Sequence, residues 1–103
     1  MNRFIEEHRE ALVAICRRYR VSRLELFGSA VSAEHFNPQT SDLDFLVEFL
    51  PLQEGEHADA YFGLLDGLKE LFGCEVDLVM ARAIKNRYFL EAIAEQREVL
   101  YAA

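Results

Sequence analysis

Asp42 and Asp44 stand two residues apart at the head of the chain's clearest strand pattern, Asp42 to Phe49. Alternation along a strand would put both carboxylates on one face, about 7 Å apart. Aspartate is among the poorest strand formers, and two such charges repel unless a cation lies between them, so the placement suits a divalent metal ion. A solvated strand end that tolerates Asp as an edge charge explains D-x-D equally well on its own. Asp77 shifts that balance, because it follows Val76 at a similar position in the next alternating segment and lets three carboxylates converge at one end of a sheet.

Oxygen ligands of this kind suit Mg²⁺ or Mn²⁺ rather than zinc, since no His or Cys lies nearby at ligand spacing. Two such ions clamped between carboxylates and a triphosphate activate an attacking oxygen and stabilise departing pyrophosphate. Gly28-Ser29 offers the complementary half: a Gly after a strand, with a hydroxyl residue opening a short helix, leaves backbone N–H groups for a phosphate. Taken alone, Gly-Ser is also a plain strand-to-helix turn.

The elements that must position these residues follow from periodicity. Phe4, Ile5, His8, Leu12, Ile15, Cys16 and Tyr19 recur at three- and four-residue steps, which predicts one helix over about residues 2 to 19. His8 on that stripe reads as a packing residue. Arg20 to Arg23 form a polar junction, Leu24 to Phe27 a short strand, and residues 30 to 41 a loop with an Asn-Pro turn. In the strand pattern, Leu43, Phe45, Val47 and Phe49 take one face and Asp42, Asp44, Leu46 and Glu48 the other. Ala58 to Phe72 predicts a second amphipathic helix with Gly73 as its C-cap. Glu75 to Met80 returns to strand alternation, so strand, helix and strand make a crossover with its two strands parallel. Asn86 caps a last helix in which Phe89, Ile93 and Leu100 follow the core stripe, with Gln96 between them. The fold class is α/β (α+β): a small mixed sheet backed by helices on one face, in a single domain over residues 1–103.

Charge narrows the partners. The chain of 103 residues carries a formal net charge of −7, which disfavours a dedicated nucleic-acid binder. Residues 24 to 81 hold one Lys against twelve acids, a net −11, so the acidity surrounds the three aspartates. Cys16 and Cys74 sit apart in apolar patterns and read as buried free thiols of a reducing compartment. The charged N-terminus and the lack of a long apolar run point away from a signal peptide or membrane span, which places the protein in the cytoplasm.

Leu26-Phe27-Gly28-Ser29, Ser41-Asp42-Leu43-Asp44-Phe45-Leu46-Val47-Glu48 and Val76-Asp77-Leu78-Val79, in this order with a helix between the last two, resemble the nucleotidyltransferase fold of the DNA polymerase β superfamily. The pattern is most similar to the minimal nucleotidyltransferase family, and the resemblance extends to Arg97-Glu98-Val99-Leu100-Tyr101. It implies that Gly28 and Ser29 hold nucleotide phosphates and that Asp42 and Asp44 hold the metal ions. Asp77 would complete the metal site and help activate the acceptor hydroxyl. Members often carry Arg-Gly shortly after the Gly-Ser, where this chain reads Val31-Ser32-Ala33-Glu34.

Members of the family resemble antitoxins whose partner is an all-helical HEPN-domain toxin. The resemblance therefore implies transfer of AMP from ATP to a tyrosine of such a partner, with Mg²⁺ as cofactor. A different reading is a binding antitoxin that masks a basic partner by charge and shape complementarity, with the catalytic residues retained but weak. Transfer to a small molecule would need an acceptor site supplied by a second subunit, and exposed Phe36 or Tyr61 could serve such a homo-oligomer. Arg82, Lys85 and Arg87 read either as contacts to phosphate or acceptor or as a solvated face.

Overall fold

A computed structural model describes residues 3–28, 42–81 and 97–103. Its elements are α1 (Arg3–Glu6), α2 (Arg9–Arg18), β1 (Val21–Phe27), β2 (Leu43–Phe49), α3 (Glu56–Phe72), β3 (Val76–Met80) and β4 (Arg97–Ala102). Ser29, the loop to Ser41, and the expected contacts at Phe36, Arg82, Lys85 and Arg87 lie outside the described residues. So do Asn86, Phe89, Ile93 and Gln96 of the expected last helix.

The four strands form one sheet in the order β3-β2-β1-β4. β1 runs antiparallel to both β2 and β4, and β2 runs parallel to β3, as the crossover through α3 requires. Leu43, Phe45 and Val47 of β2 face a core they share with Leu24 and Leu26 of β1, Leu12 and Cys16 of α2, and Leu64, Leu68 and Phe72 of α3. The opposite face carries a smaller apolar patch of Phe27 and Leu46, with Val79 and Ala81 against it. One face is therefore filled by helices, and the other combines that patch with charged side chains.

α3 ends where Gly73 adopts φ +64 and its N–H donates to the Lys69 carbonyl, the C-cap expected from sequence. Tyr61 is half-buried rather than exposed, and its hydroxyl donates to the Leu78 carbonyl, which ties α3 to β3. Among the described residues, Phe62 beside it is the exposed aromatic ring, at 59%.

Three expectations need correction. The N-terminal helix is interrupted at Glu7 and His8, because the His8 ring turns back so that Nδ1 donates to the Phe4 carbonyl at 2.8 Å. That ring packs against Phe4 and Phe72, which makes it a packing residue as anticipated. β1 begins at Val21, within the expected polar junction, after Arg20 turns the chain at φ +58 and accepts the Leu50 N–H on its carbonyl. Leu100 belongs to a strand and not to a helix. Its side chain enters the core from β4 while its carbonyl accepts a bond from Arg9 Nη1 at 3.0 Å.

Cys16 is buried as expected, and its surroundings push the thiol up to about 12. Cys74 is only partly buried. Among the described residues no helix is long and apolar enough to cross a membrane.

Candidate active site

Strand register decides which acids meet. Asp44 lies opposite Asp77 in the parallel pairing of β2 with β3, and opposite Phe27 in the antiparallel pairing of β1 with β2. Residues directly opposite share a face of the sheet, and alternation puts Asp44 on the same face as Leu46, away from the helices. Asp44 is half-buried and Asp77 exposed. Asp42 precedes β2 in the coil and is also exposed.

The Asp44 carboxyl is pushed up to about 6. Burial contributes most, followed by the charge of Asp77, a hydrogen bond shared with Asp77, and the charge of Asp42. Two carboxylates set this close repel when both are ionised, and a cation between them would relieve that repulsion. The field of Asp42 and Glu75 also reaches Cys74 and raises its thiol, after burial as the larger cause.

Gly28 ends β1 at φ +79, a left-handed conformation that side chains disfavour. A Cβ built there would lie 2.8 Å from Asp44 Oδ2 and 3.7 Å from its Cγ. Only a residue without a side chain lets the turn come this close to the carboxylate, and the sharp turn leaves its backbone beside the acid pair.

A cleft of about 420 Å³ opens at this place, lined by Phe27, Asp44 and Asp77 together with Tyr61, Leu65 and the residues flanking Asp77. Another, of about 400 Å³, lies at the far end of β2 by Phe49, Leu50 and His57, away from the acid pair.

The donor set fits a hard divalent cation. It is all carboxylate oxygen, it is anionic, and burial and mutual repulsion leave it short of positive charge. Among the described residues, no group of three or more His, Cys, Asp or Glu is arranged so that it could hold a metal ion, so the expected convergence of Asp42 with Asp44 and Asp77 is not met. The structure therefore brings Asp44 and Asp77 together, sets Gly28 against them, and leaves Asp42 at the edge as an electrostatic neighbour.

The sequence reading missed Glu25. It is the one buried charged residue among those described, at 5% exposure, and it pairs with Arg23 Nη2 at 2.9 Å and with Arg97 Nη1 at 3.7 Å. The available signal was a lone acid inside Leu24-Glu25-Leu26-Phe27, since a buried charge needs partners.

Comparison with known proteins bears on the family and the fold. The nucleotidyltransferase domain family matches residues 8–100. A candidate protein adenylyltransferase of Methanocaldococcus jannaschii is 40% identical over 78 residues, covering 76% of this chain and 74% of that protein. A second from the same organism is 32% identical over 78 residues, covering 76% and 75%. Among solved structures, a candidate minimal nucleotidyltransferase superposes with a TM-score of 0.63 at 29% identity, covering 95% of each chain. A toxin–antitoxin complex with AMP-PNP gives 0.67 at 20% identity, covering 92% of this chain and 73% of that one. The Shewanella oneidensis complex of a tri-AMPylated HEPN toxin with its MNT antitoxin gives 0.63 at 19%, covering 95% and 72%. At these lower identities the likeness is one of fold, whereas the family match spans most of the sequence. The chain belongs to the nucleotidyltransferase domain family.

Proposed function

We propose that the protein transfers AMP from ATP to a hydroxyl of a protein partner, a tyrosine of a HEPN-type toxin, and thereby acts as an antitoxin. The observation that carries this reading is the Asp44–Asp77 pair, set in register across β2 and β3 with Gly28 pressed against it. The candidate adenylyltransferase relatives support a protein acceptor, and the AMPylated toxin complex supports the kind of partner.

Asp44 and Asp77, with Asp42 beside them, would hold Mg²⁺ or Mn²⁺, which when bound neutralises phosphate charge and polarises the reacting phosphorus. Asp44, whose carboxyl is the more buried of the two, would be one ligand, and Asp77 another. Asp77, which is exposed, would help to draw the proton from the acceptor hydroxyl. The freed oxygen attacks the α-phosphorus, the bond from that phosphorus to the bridging oxygen breaks, and pyrophosphate leaves while AMP stays on the acceptor. The Gly28 turn, and Ser29 after it, take the phosphates on backbone and hydroxyl donors.

Intact-mass measurement of the partner after incubation with ATP and Mg²⁺ tests this. One added adenylate per modified tyrosine is expected, and none with Asp44→Asn. Inhibition of the partner with its mass unchanged would favour masking by the acidic surface instead.

A further inference from the structure

A triphosphate and two or three carboxylates together carry more negative charge than two divalent cations remove, and enzymes that bind a triphosphate usually add a fixed cation. The sequence supplies no Lys or Arg between residues 24 and 68, which spans the Gly28 turn and the whole of β2. That cation must come from another element.

Among the described residues, register singles out one. Phe27 of β1 pairs on one side with Asp44 and on the other with Arg97 of β4. Asp77, Asp44, Phe27 and Arg97 thus form one row across all four strands, on the face that carries the Gly28 turn's acid neighbours. Arg97 is separated from Asp44 by two strand spacings, roughly 10 Å, within the combined reach of an arginine side chain and an extended polyphosphate.

Arg97 lines a neighbouring cleft of about 400 Å³ with Glu25, Leu46, Glu48 and Ala81, separate from the cleft at the acid pair. Arg23 is the other cation of that neighbouring cleft among the described residues, but it pairs opposite Glu48, toward the far end of β2. Glu25 grips Arg23 closely, through Nε and Nη2 both at 2.9 Å, and Arg97 more loosely at 3.7 Å. The trio carries a net charge of +1, and the looser arm is the one beside the site.

We propose that Arg97 binds the polyphosphate of the nucleoside triphosphate, with Glu25 as the positioning residue that holds it at the end of the carboxylate row. This rests on the nucleotidyl-transfer reading. Arginine suits the task because its planar fork gives one edge to the Glu25 carboxylate and another to phosphate oxygens.

The test is calorimetric binding of ATP, AMP and inorganic tripolyphosphate, each with Mg²⁺, to the wild type and to Arg97→Gln, Arg97→Lys and Arg23→Gln. Arg97→Gln should weaken ATP and tripolyphosphate by about tenfold or more, since a charged hydrogen bond to phosphate is lost, and should leave AMP nearly unchanged. Arg97→Lys should recover part of the loss. Arg23→Gln removes the tighter partner of Glu25, so a purely structural role for the ion pairs predicts equal or greater weakening there. Equal effects of the two Gln variants, or an Arg97→Gln loss shared equally by AMP, would overturn the proposal. Undiminished ATP binding by Arg97→Gln would overturn it while leaving nucleotidyl transfer standing. Failure of the wild type to bind ATP would overturn both.

Discussion

Gly28 and Asp44 are in contact across β1 and β2: a methyl group on Gly28 would stand 2.8 Å from Asp44 Oδ2. Replacing Gly28 with alanine therefore pushes the carboxylate aside and also places a side chain at φ +79. The left-handed backbone alone costs about 1–2 kcal/mol. Thermal unfolding of Gly28→Ala should show that loss, and transfer should fall well beyond what the remaining folded fraction explains.

Neutralising the acids separates chemistry from folding. Asp42→Asn with Asp44→Asn should abolish transfer while leaving unfolding temperature equal or higher, because the substitutions remove repulsion around the pair. Activity and melting curves measured on the same preparation check both halves, and wild-type rates would refute a ligand role.

The pH response of the metal-free protein has a definite sign. Asp44 titrates at about 6 in the folded chain, above the roughly 3.9 of an unfolded aspartate. The folded state therefore binds the proton more tightly, and stability falls as pH rises from about 4 to about 6. Screening at a carboxyl that water reaches reduces the effect to about 1 kcal/mol. Denaturant titrations at pH 4 and pH 7 should show this decrease, and Asp44→Asn should remove that part of it. Added Mg²⁺ should reduce it as well, by stabilising the ionised pair.

The helical layer carries its own test. A Cβ on Gly63 of α3 would lie 2.3 Å from Cε1 of Tyr19 and 2.9 Å from its Cζ, so α3 meets the Tyr19 ring through a bare backbone. Gly63→Ala should destabilise by about 1–3 kcal/mol through overpacking. Combined with Tyr19→Ala the further cost should nearly vanish, which a double-mutant cycle in urea measures directly.

What the sequence made legible was local. The alternation of Leu43, Phe45 and Val47 placed β2, Gly73 marked the end of α3, and the crossover required β3 to run parallel, which brings Asp77 beside Asp44. Local reading failed where distant partners or a competing bond decide. His8 interrupts a helical stripe because its ring binds the Phe4 carbonyl in place of extending the helix. Leu100 fits helical spacing as well as strand alternation, and its strand exists only through pairing with β1, from the other end of the chain. Glu25 and Arg97 are adjacent for the same reason, so no window of sequence shows that the acid has a partner near the carboxylate row.

The most direct measurement of nucleotidyl transfer is the fate of labelled phosphate. The protein, Mg²⁺ and a HEPN-type partner are incubated with ATP labelled at either the α- or the γ-phosphorus, and the partner is then isolated. Attack at the α-phosphorus beside Asp44 and Asp77 predicts label on the partner from α-labelled ATP only, lost in Asp44→Asn. Label from γ-labelled ATP, or α-label that persists in Asp44→Asn, would contradict it.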